Sequence, residues 1–296
     1  MKICNFGSIN IDHVYTLPHF VGHGETIDTS SYTVFPGGKG LNQSIALARA
    51  GARVHHAGAV GRDGTWLRDM MEREGIGVEH VMICDEPTGH AVIQVIPSGE
   101  NAIFIHGGAN RSFSSHEISR IIGSFSENDY LLIQNEINEV PYIMQEAARR
   151  KLRIVFNPAP MHGSVRDYPL HLVDMMVVNE VEGAALTSRE NPEEILLDLR
   201  DFFRDSAIVL TLGVQGVLYA DSEHETLAVP ACAVDAVDTT AAGDTFIGFL
   251  LGSLCQGLSV SESLGIANRA SALCITRPGA ASSIPRKSEV DELLQP

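Results

Sequence analysis

Apolar residues alternate along most of this chain between short, nearly continuous runs and longer stretches with helical spacing. Short runs without a polar face predict strands covered on both sides, and the intervening stretches predict the covering helices, so a parallel α/β sheet is expected. Strands are predicted at 2–9, 54–60, 130–134, 153–156, 175–178, 207–211, 217–220 and 226–229. Helices are predicted at 43–50, 65–74, 141–150, 193–203 and 260–274, with further ones opening at Asn179 and at Asp244. Asn179 and Glu182 have the spacing of an N-cap and its N3 partner.

Two segments break the rhythm. Residues 13–36 hold Pro18, Gly22, Gly24 and Pro36 and one alternating patch at 32–35, which reads as a loop and a half-exposed strand. Residues 90–96 and 101–106 are β runs around Pro97-Ser98-Gly99-Glu100, a hairpin inserted into the βαβ series. A small separate sheet built from 13–36 and 88–106, covering a site, is the expectation.

The most chemically suggestive stretch is Asp238-Thr239-Thr240-Ala241-Ala242-Gly243-Asp244. Small residues at a helix start leave its first N–H groups uncovered, and with the helix dipole they make an anion site. A phosphate fits the amides of Ala241, Ala242 and Gly243, with Asp244 beside it to orient or deprotonate a hydroxyl. The competing reading has Asp244 merely complementing its helix dipole. Gly37-Gly38-Lys39-Gly40-Leu41-Asn42 is a second glycine-rich turn that lets a ligand approach the backbone. It is neither a Walker A loop nor G-x-G-x-x-G. Elsewhere polar residues fall where predicted strands end, at Asn10, Asp12, Glu136, Asn179, Thr211 and Asp238, and in an open sheet those ends share one edge. For Asn10 and Asp12 a turn-forming role is the simpler alternative.

The 296 residues suit one large α/β domain, with or without a small appendage. A formal charge of −16 argues against a nucleic-acid backbone as partner, though oriented N–H groups can still hold an anionic nucleotide. Five scattered cysteines suit a reducing compartment rather than a disulfide framework or zinc site. The start of the chain lacks a signal-peptide pattern and no apolar run is long enough for a bilayer, so a cytoplasmic protein without membrane contact is expected. His13, His55, His56 and His106 show no ligand pairing and are expected in loops or on the surface.

The ordered motifs resemble the ribokinase-like (pfkB) family of sugar kinases over nearly the whole chain. They are the 37–42 turn, Gly107-Gly108-Ala109-Asn110, Asn157-Pro158-Ala159-Pro160, Asn179-x-x-Glu182, Thr211-Leu212-Gly213-x-x-Gly216 and the 238–244 stretch. The resemblance implies a doubly wound, mostly parallel α/β fold spanning 1–296 with a small β-sheet lid, homodimerisation through that lid, and ATP-dependent phosphorylation of a sugar hydroxymethyl group. It implies Asp244 as base and the 241–243 amides as the anion hole, with Asn10, Asp12, Gly38, Lys39, Asn42 and Glu136 on the sugar. Asn179, Glu182, Thr211, Gly213, Gly216, Gly243 and Asn268 match positions around Mg²⁺–ATP. Asp238, Thr240, Cys274, Arg277, Gly279 and Ser283 match an activating potassium site. Asn10, Asp12, Asn42 and Glu136 together resemble members that convert D-ribose to D-ribose 5-phosphate. Kinases of fructose, 2-keto-3-deoxygluconate or a nucleoside are the alternatives within the family, and a non-catalytic sugar-binding protein is the alternative outside catalysis. Phe249 departs from the family by standing where a small residue is usual, and the tail 280–283 also departs.

Overall fold

Strands with no polar face need cover on both sides, and the chain supplies it from helices placed between them. The computed structural model describes residues 1–222 and 226–292. In chain order the elements run β1 (Ile3–Phe6), β2 (Asn10–Thr16), β3 (Ser31–Gly37), α1 (Lys39–Arg49), β4 (Val54–Gly61), α2 (Thr65–Arg73), β5 (Gly77–Cys84), β6 (Gly89–Val95) and β7 (Asn101–His106). Then follow α3 (Ser115–Ile122), β8 (Tyr130–Gln134), α4 (Val140–Arg149), β9 (Arg153–Asn157), β10 (Met175–Asn179), α5 (Glu180–Thr187) and α6 (Pro192–Phe202). The last are β11 (Ala207–Thr211), β12 (Val217–Ala220), β13 (Leu227–Val229), α7 (Ala242–Cys255), α8 (Val260–Ile275) and α9 (Lys287–Glu292).

Among the described residues the large sheet has nine strands in the order β13-β12-β11-β10-β9-β8-β1-β4-β5. It is parallel from β5 to β11, with β12 and β13 added antiparallel at one edge. Each face has its own core. Leu41, Ile45, Phe249, Leu250 and Leu264 pack on one side, and Phe6, Ile118, Ile143, Phe156 and Leu199 on the other. Phe249, the departure noted above, is simply a buried core side chain. The chain builds outward from β1 in both directions, so the crevice beyond the C-terminal ends of β1 and β8 is the topological switch point where open α/β sheets hold ligands.

The small sheet runs β3-β2-β6-β7, parallel between β2 and β6 and antiparallel elsewhere. Asn10 and Asp12, expected at the end of the first large-sheet strand, instead open β2 of this second sheet, where Asn10 pairs with both Gly37 and Gly89. The chain leaves the large sheet at Gly7 because α1 lies against it. A Cβ on Gly40 would stand 2.5 Å from the Gly7 carbonyl carbon, too close for any side chain. Helix α1 therefore begins at Lys39 rather than Gln43, and Lys39 to Asn42 form its first turn. Gly38, with φ of 92°, supplies the left-handed entry that a side chain would strain.

Strand β5 and helix α3 have no counterpart among the expected elements. Glu79 and His80 interrupt the apolar run of β5, an edge strand, while α3 is announced by a Ser114–Glu117 capping box. No helix among the described residues is long and apolar enough to cross a membrane.

Helices α1 and α7 meet through small residues. A Cβ on Gly248 would come within 2.3 Å of the Ala46 Cβ, and one on Gly252 within 2.9 Å of the Ala50 Cβ. In an isolated helix Gly248→Ala would stabilise by about 1 kcal/mol, but here overpacking outweighs propensity. The expected outcome is a net loss of about 1–3 kcal/mol in urea unfolding, together with reduced turnover. A variant as stable as the parent would show that the two helices are not in close contact.

Candidate active site

Helix α7 is entered through Ala241, its N-cap residue, which adopts the left-handed conformation at φ 61°, and no side chain caps the helix. The Ala242 amide is directed to Thr239 O at 3.2 Å. The next amides, of Gly243 and Asp244, lie in the first turn, where an α-helix offers no partner. A Cβ built on Gly243 meets nothing within 4 Å, because this helix end opens into a cavity of about 470 Å³. Lys39, Asn179, Glu182, Thr211, Gly213, Ala241, Ala242, Gly243 and Asp244 all line it, so residues from four separate stretches of chain converge.

Asp244 is held on both carboxylate oxygens. Asn42 Nδ2 donates to Oδ2 at 3.0 Å and Gln43 Nε2 donates to Oδ1 at 2.9 Å. Neighbouring charges of opposite sign favour a lysine's charged form, and Lys39 is pushed up chiefly by Asp244. Burial opposes this, and Glu136 and Glu182 add to it. Glu182 caps α5 with Asn179, accepting from the Asn179 amide at 3.0 Å while its own amide donates to Asn179 Oδ1 at 2.8 Å. Burial nevertheless raises its carboxyl above the ordinary range, against the Asn179 hydrogen bond and Lys39. A carboxylate starved of solvent beside an open cavity is suited to a cation or to metal-bound water.

On the other side of the 38–42 turn, Glu136 Oε2 accepts from the Lys39 amide at 3.1 Å and from the Ser8 hydroxyl. Glu136 and Asn10 line a smaller cavity of about 150 Å³ with Asn110, Arg111 and His162. Asn10 Oδ1 accepts from Asn110 Nδ2 at 2.8 Å, and Asn110 is itself fixed by the Ile9 amide at 3.0 Å. Asp12 lies over Gly37, whose missing side chain makes room for its carboxylate. Burial first and Glu136 second push the Asp12 carboxyl from 3.8 up to about 7. Asn42 Oδ1, by contrast, is buried with no hydrogen-bond partner.

The residues that the resemblance assigns to a potassium ion lie around the end of α8. Asp238 accepts from the Thr240 amide and from the Gly279 amide, each at 2.9 Å. Burial raises its carboxyl, but these bonds together bring it below the ordinary value. Cys274 Sγ lies 3.7 Å from Thr240 O and 3.1 Å from Ser283 Oγ, while Arg277 pairs with Glu289 at 2.7 Å. Two nucleotide candidates stand back from the large cavity. Gly216 passes under Val229 O, where a Cβ would clash at 2.2 Å, and Asn268 spends its amide on Val229 O and Pro230 O.

Three residues outside the sequence-level candidates share in the site. Asn157 lines the large cavity and Asn110 holds Asn10; both stand in motifs that carry the family resemblance. Gln43, next to Asn42, looked like an ordinary helix former, and nothing in its local sequence marks it.

An open, mostly parallel sheet with helices on both faces, a second small sheet, and an uncapped helix start at its cavity define the ribokinase-like fold class. The chain belongs to the pfkB family of carbohydrate kinases, whose profile matches residues 1–287. It is 36% identical over 298 residues to a ribokinase of Haemophilus influenzae, covering 98% of this chain and 97% of that protein. Among solved structures it superposes with TM-score 0.89 on a ribokinase from Cryptococcus neoformans in complex with ADP, at 34% identity and 99% coverage of both chains. The Arabidopsis thaliana ribokinase complexed with ribose and ATP superposes equally well, at 26% identity over 99% of this chain and 98% of that one.

The Asp12 shift has a consequence for stability. The folded state keeps this proton between about pH 4 and pH 7, where the unfolded chain releases it, so stability falls as pH rises through that window. Asp12→Asn removes the effect. Its melting temperature relative to the parent should rise by about 5–10 °C between pH 4 and pH 8, as read by calorimetry. A difference that does not change with pH would show that Asp12 is not strained by burial.

Proposed function

We propose that this chain phosphorylates the 5-hydroxymethyl group of D-ribose with ATP, giving D-ribose 5-phosphate and ADP. The observation that carries the reading is Asp244, held by two amide donors at an uncapped helix start that opens on the cavity. Phosphoryl transfer needs mainly positioning and stabilisation of charge on the transferred group. The Gly243 and Asp244 amides face the migrating phosphoryl, with Ala241 and Ala242 shaping the turn around it, and Lys39 adds a full positive charge. Asp244 aims the sugar hydroxyl and takes its proton. Because the transition state is loose, a weak base at a helix start is sufficient.

The large cavity is the nucleotide side of this reading, with Asn179, Glu182, Thr211 and Gly213 around ATP. Glu182 is an oxygen donor of the kind magnesium takes, and through its bound water the ion would neutralise phosphate charge. Asn10, Asp12, Gly38, Asn42 and Glu136 form the sugar side. The preference for ribose is supported by relatives named ribokinases at 30–36% identity and by one solved with ribose and ATP. Asp238 with the carbonyl-rich turn around Gly279 and Ser283 would hold potassium. Fructose, 2-keto-3-deoxygluconate and nucleosides are the competing substrates.

The small sheet supports two further parts of the reading. It carries Asn10 and Asp12 on β2, so its tilt toward the large sheet would close the sugar side like a lid. Ile103, Phe104 and Ile105 on its edge strand β7 are 52%, 60% and 55% exposed, and Tyr32 and Val34 are also exposed. A second copy of the chain seated there would cover them, forming a homodimer. A reducing cytoplasm fits five cysteines with no disulfide among them.

A panel of sugars with ATP, run with and without potassium, tests the substrate. D-ribose should have the highest kcat/KM and potassium should raise it; faster turnover of fructose or a nucleoside would overturn the assignment. Asp244→Asn should bind ribose within a few-fold of the parent and lose about 10²–10⁴-fold in kcat. Parental turnover in that variant would remove Asp244 as the base.

A further inference from the structure

A buried hydrogen-bond relay runs from the interior of the large sheet to Asp244. Gln43 Nε2 donates to Asp244 Oδ1 at 2.9 Å, and Gln43 Oε1 accepts from Gln134 Nε2 at 2.6 Å. Gln134 Nε2 also donates to Asn5 Oδ1 at 2.9 Å, and Asn5 Nδ2 donates to Gly40 O at 2.7 Å and Ser44 Oγ at 2.8 Å. Ser44 Oγ lies 2.8 Å from His56 Nδ1, whose Nε2 lies 3.2 Å from Gly7 O. Asn5, Gln43, Ser44, His56 and Gln134 are all fully buried. His56 thus sits in the interior rather than on the surface, as first expected.

The sense of every bond in this relay is forced from its ends. Gly40 O and Gly7 O can only accept. Gly40 O turns the Asn5 amide so that Oδ1 faces Gln134. Gln134 must then present Nε2, which obliges Gln43 to present Oε1 to it and Nε2 to Asp244. At the far end, burial lowers His56 to about 3, so the ring stays neutral; Nε2 donates to Gly7 O and Nδ1 accepts from Ser44. Ser44 Oγ is left to accept from Asn5, which agrees with the first anchor. An isolated glutamine beside a carboxylate could swing away or turn its oxygen toward it at little cost. Gln43 can do neither without orphaning a buried partner.

We propose that Gln43 is a positioning residue for phosphoryl transfer, its amide locked by Gln134 and Asn5 so that an N–H always holds Asp244 Oδ1. Gln43 is closed off from the cavity, so it acts through Asp244 and not on substrate. Asn42 then fixes Oδ2, and the carboxylate plane is set relative to the amides at the start of α7. A misplaced reacting group costs rate steeply even when binding is intact. The inference rests on Asp244 being the base, and it predicts that Gln43 matters only while that base is present.

Steady-state kinetics of the full chain with D-ribose and ATP test this, using Gln43→Met, Asp244→Asn and the double variant. Gln43→Met should lower kcat by about 10–100-fold, the worth of a hydrogen bond to a charged group, with the KM for ribose within about 3-fold of the parent. In the Asp244→Asn background the same substitution should cause no further loss. A kcat within twofold of the parent, or an equal loss in both backgrounds, would overturn the proposal, since a merely structural role would act in both. If Gln43→Met does not fold, Gln134→Leu, which removes the donor orienting Gln43, should give the same pattern at about 3–10-fold; its absence would be equally decisive. Parental turnover in Asp244→Asn alone would instead defeat the base assignment, a separate result.

Discussion

The close contact between α1 and α7 sets the geometry of the whole site. Gly248 and Gly252 let the helices approach until Ala46 and Ala50 touch the glycine backbone. Only at that distance can Asn42 and Gln43 on one helix reach the two oxygens of Asp244 on the other. Close-packed interiors do not deform smoothly, so the spacing of two helices becomes the placement of one carboxylate. The same contact keeps the start of α7 beside Lys39, which comes from the first turn of α1.

Local electrostatics then run against the global charge. The chain carries a formal −16, yet the cavity gathers Lys39 and a bare helix start where an anion would sit. Fixed N–H dipoles and one cation are enough, because they are aligned before any ligand arrives. The acids around them, Asp244, Glu136 and Glu182, hold Lys39 charged. Asp12 and Glu182 meanwhile have their carboxyls raised by burial, so the site stores carboxylates that gain from a ligand able to donate hydrogen bonds or positive charge.

Much of this was legible from the chain. Most central strands and helices were found because a fully apolar run has few alternatives. The 238–244 stretch stood out because small residues at a helix start predict uncovered amides, and an uncapped helix start at a cavity is found there. Other features were hidden for identifiable reasons. Strand β5 is broken by Glu79 and His80, tolerable at a sheet edge but opaque to a pattern search. Asn10 and Asp12 looked like the end of one strand because nothing local says that Gly40 will press on Gly7 and send the chain into a second sheet. The relay through His56, Asn5, Gln134 and Gln43 to Asp244 joins residues up to 201 positions apart, and nothing in the local sequence of any one of them points to the next. Long-range polar complementarity leaves no periodicity to read.

In the proposed reaction the start of α7 receives the migrating phosphoryl group while Asp244 faces the sugar alcohol. A crystal structure with ADP, aluminium fluoride and D-ribose tests it most directly. Fluoride ligands are expected on the Gly243 and Asp244 amides, with the ribose 5-oxygen within about 2.6–3.2 Å of the Asp244 carboxylate. Aluminium fluoride seated away from that helix start, or a ribose hydroxymethyl turned from Asp244, would contradict it.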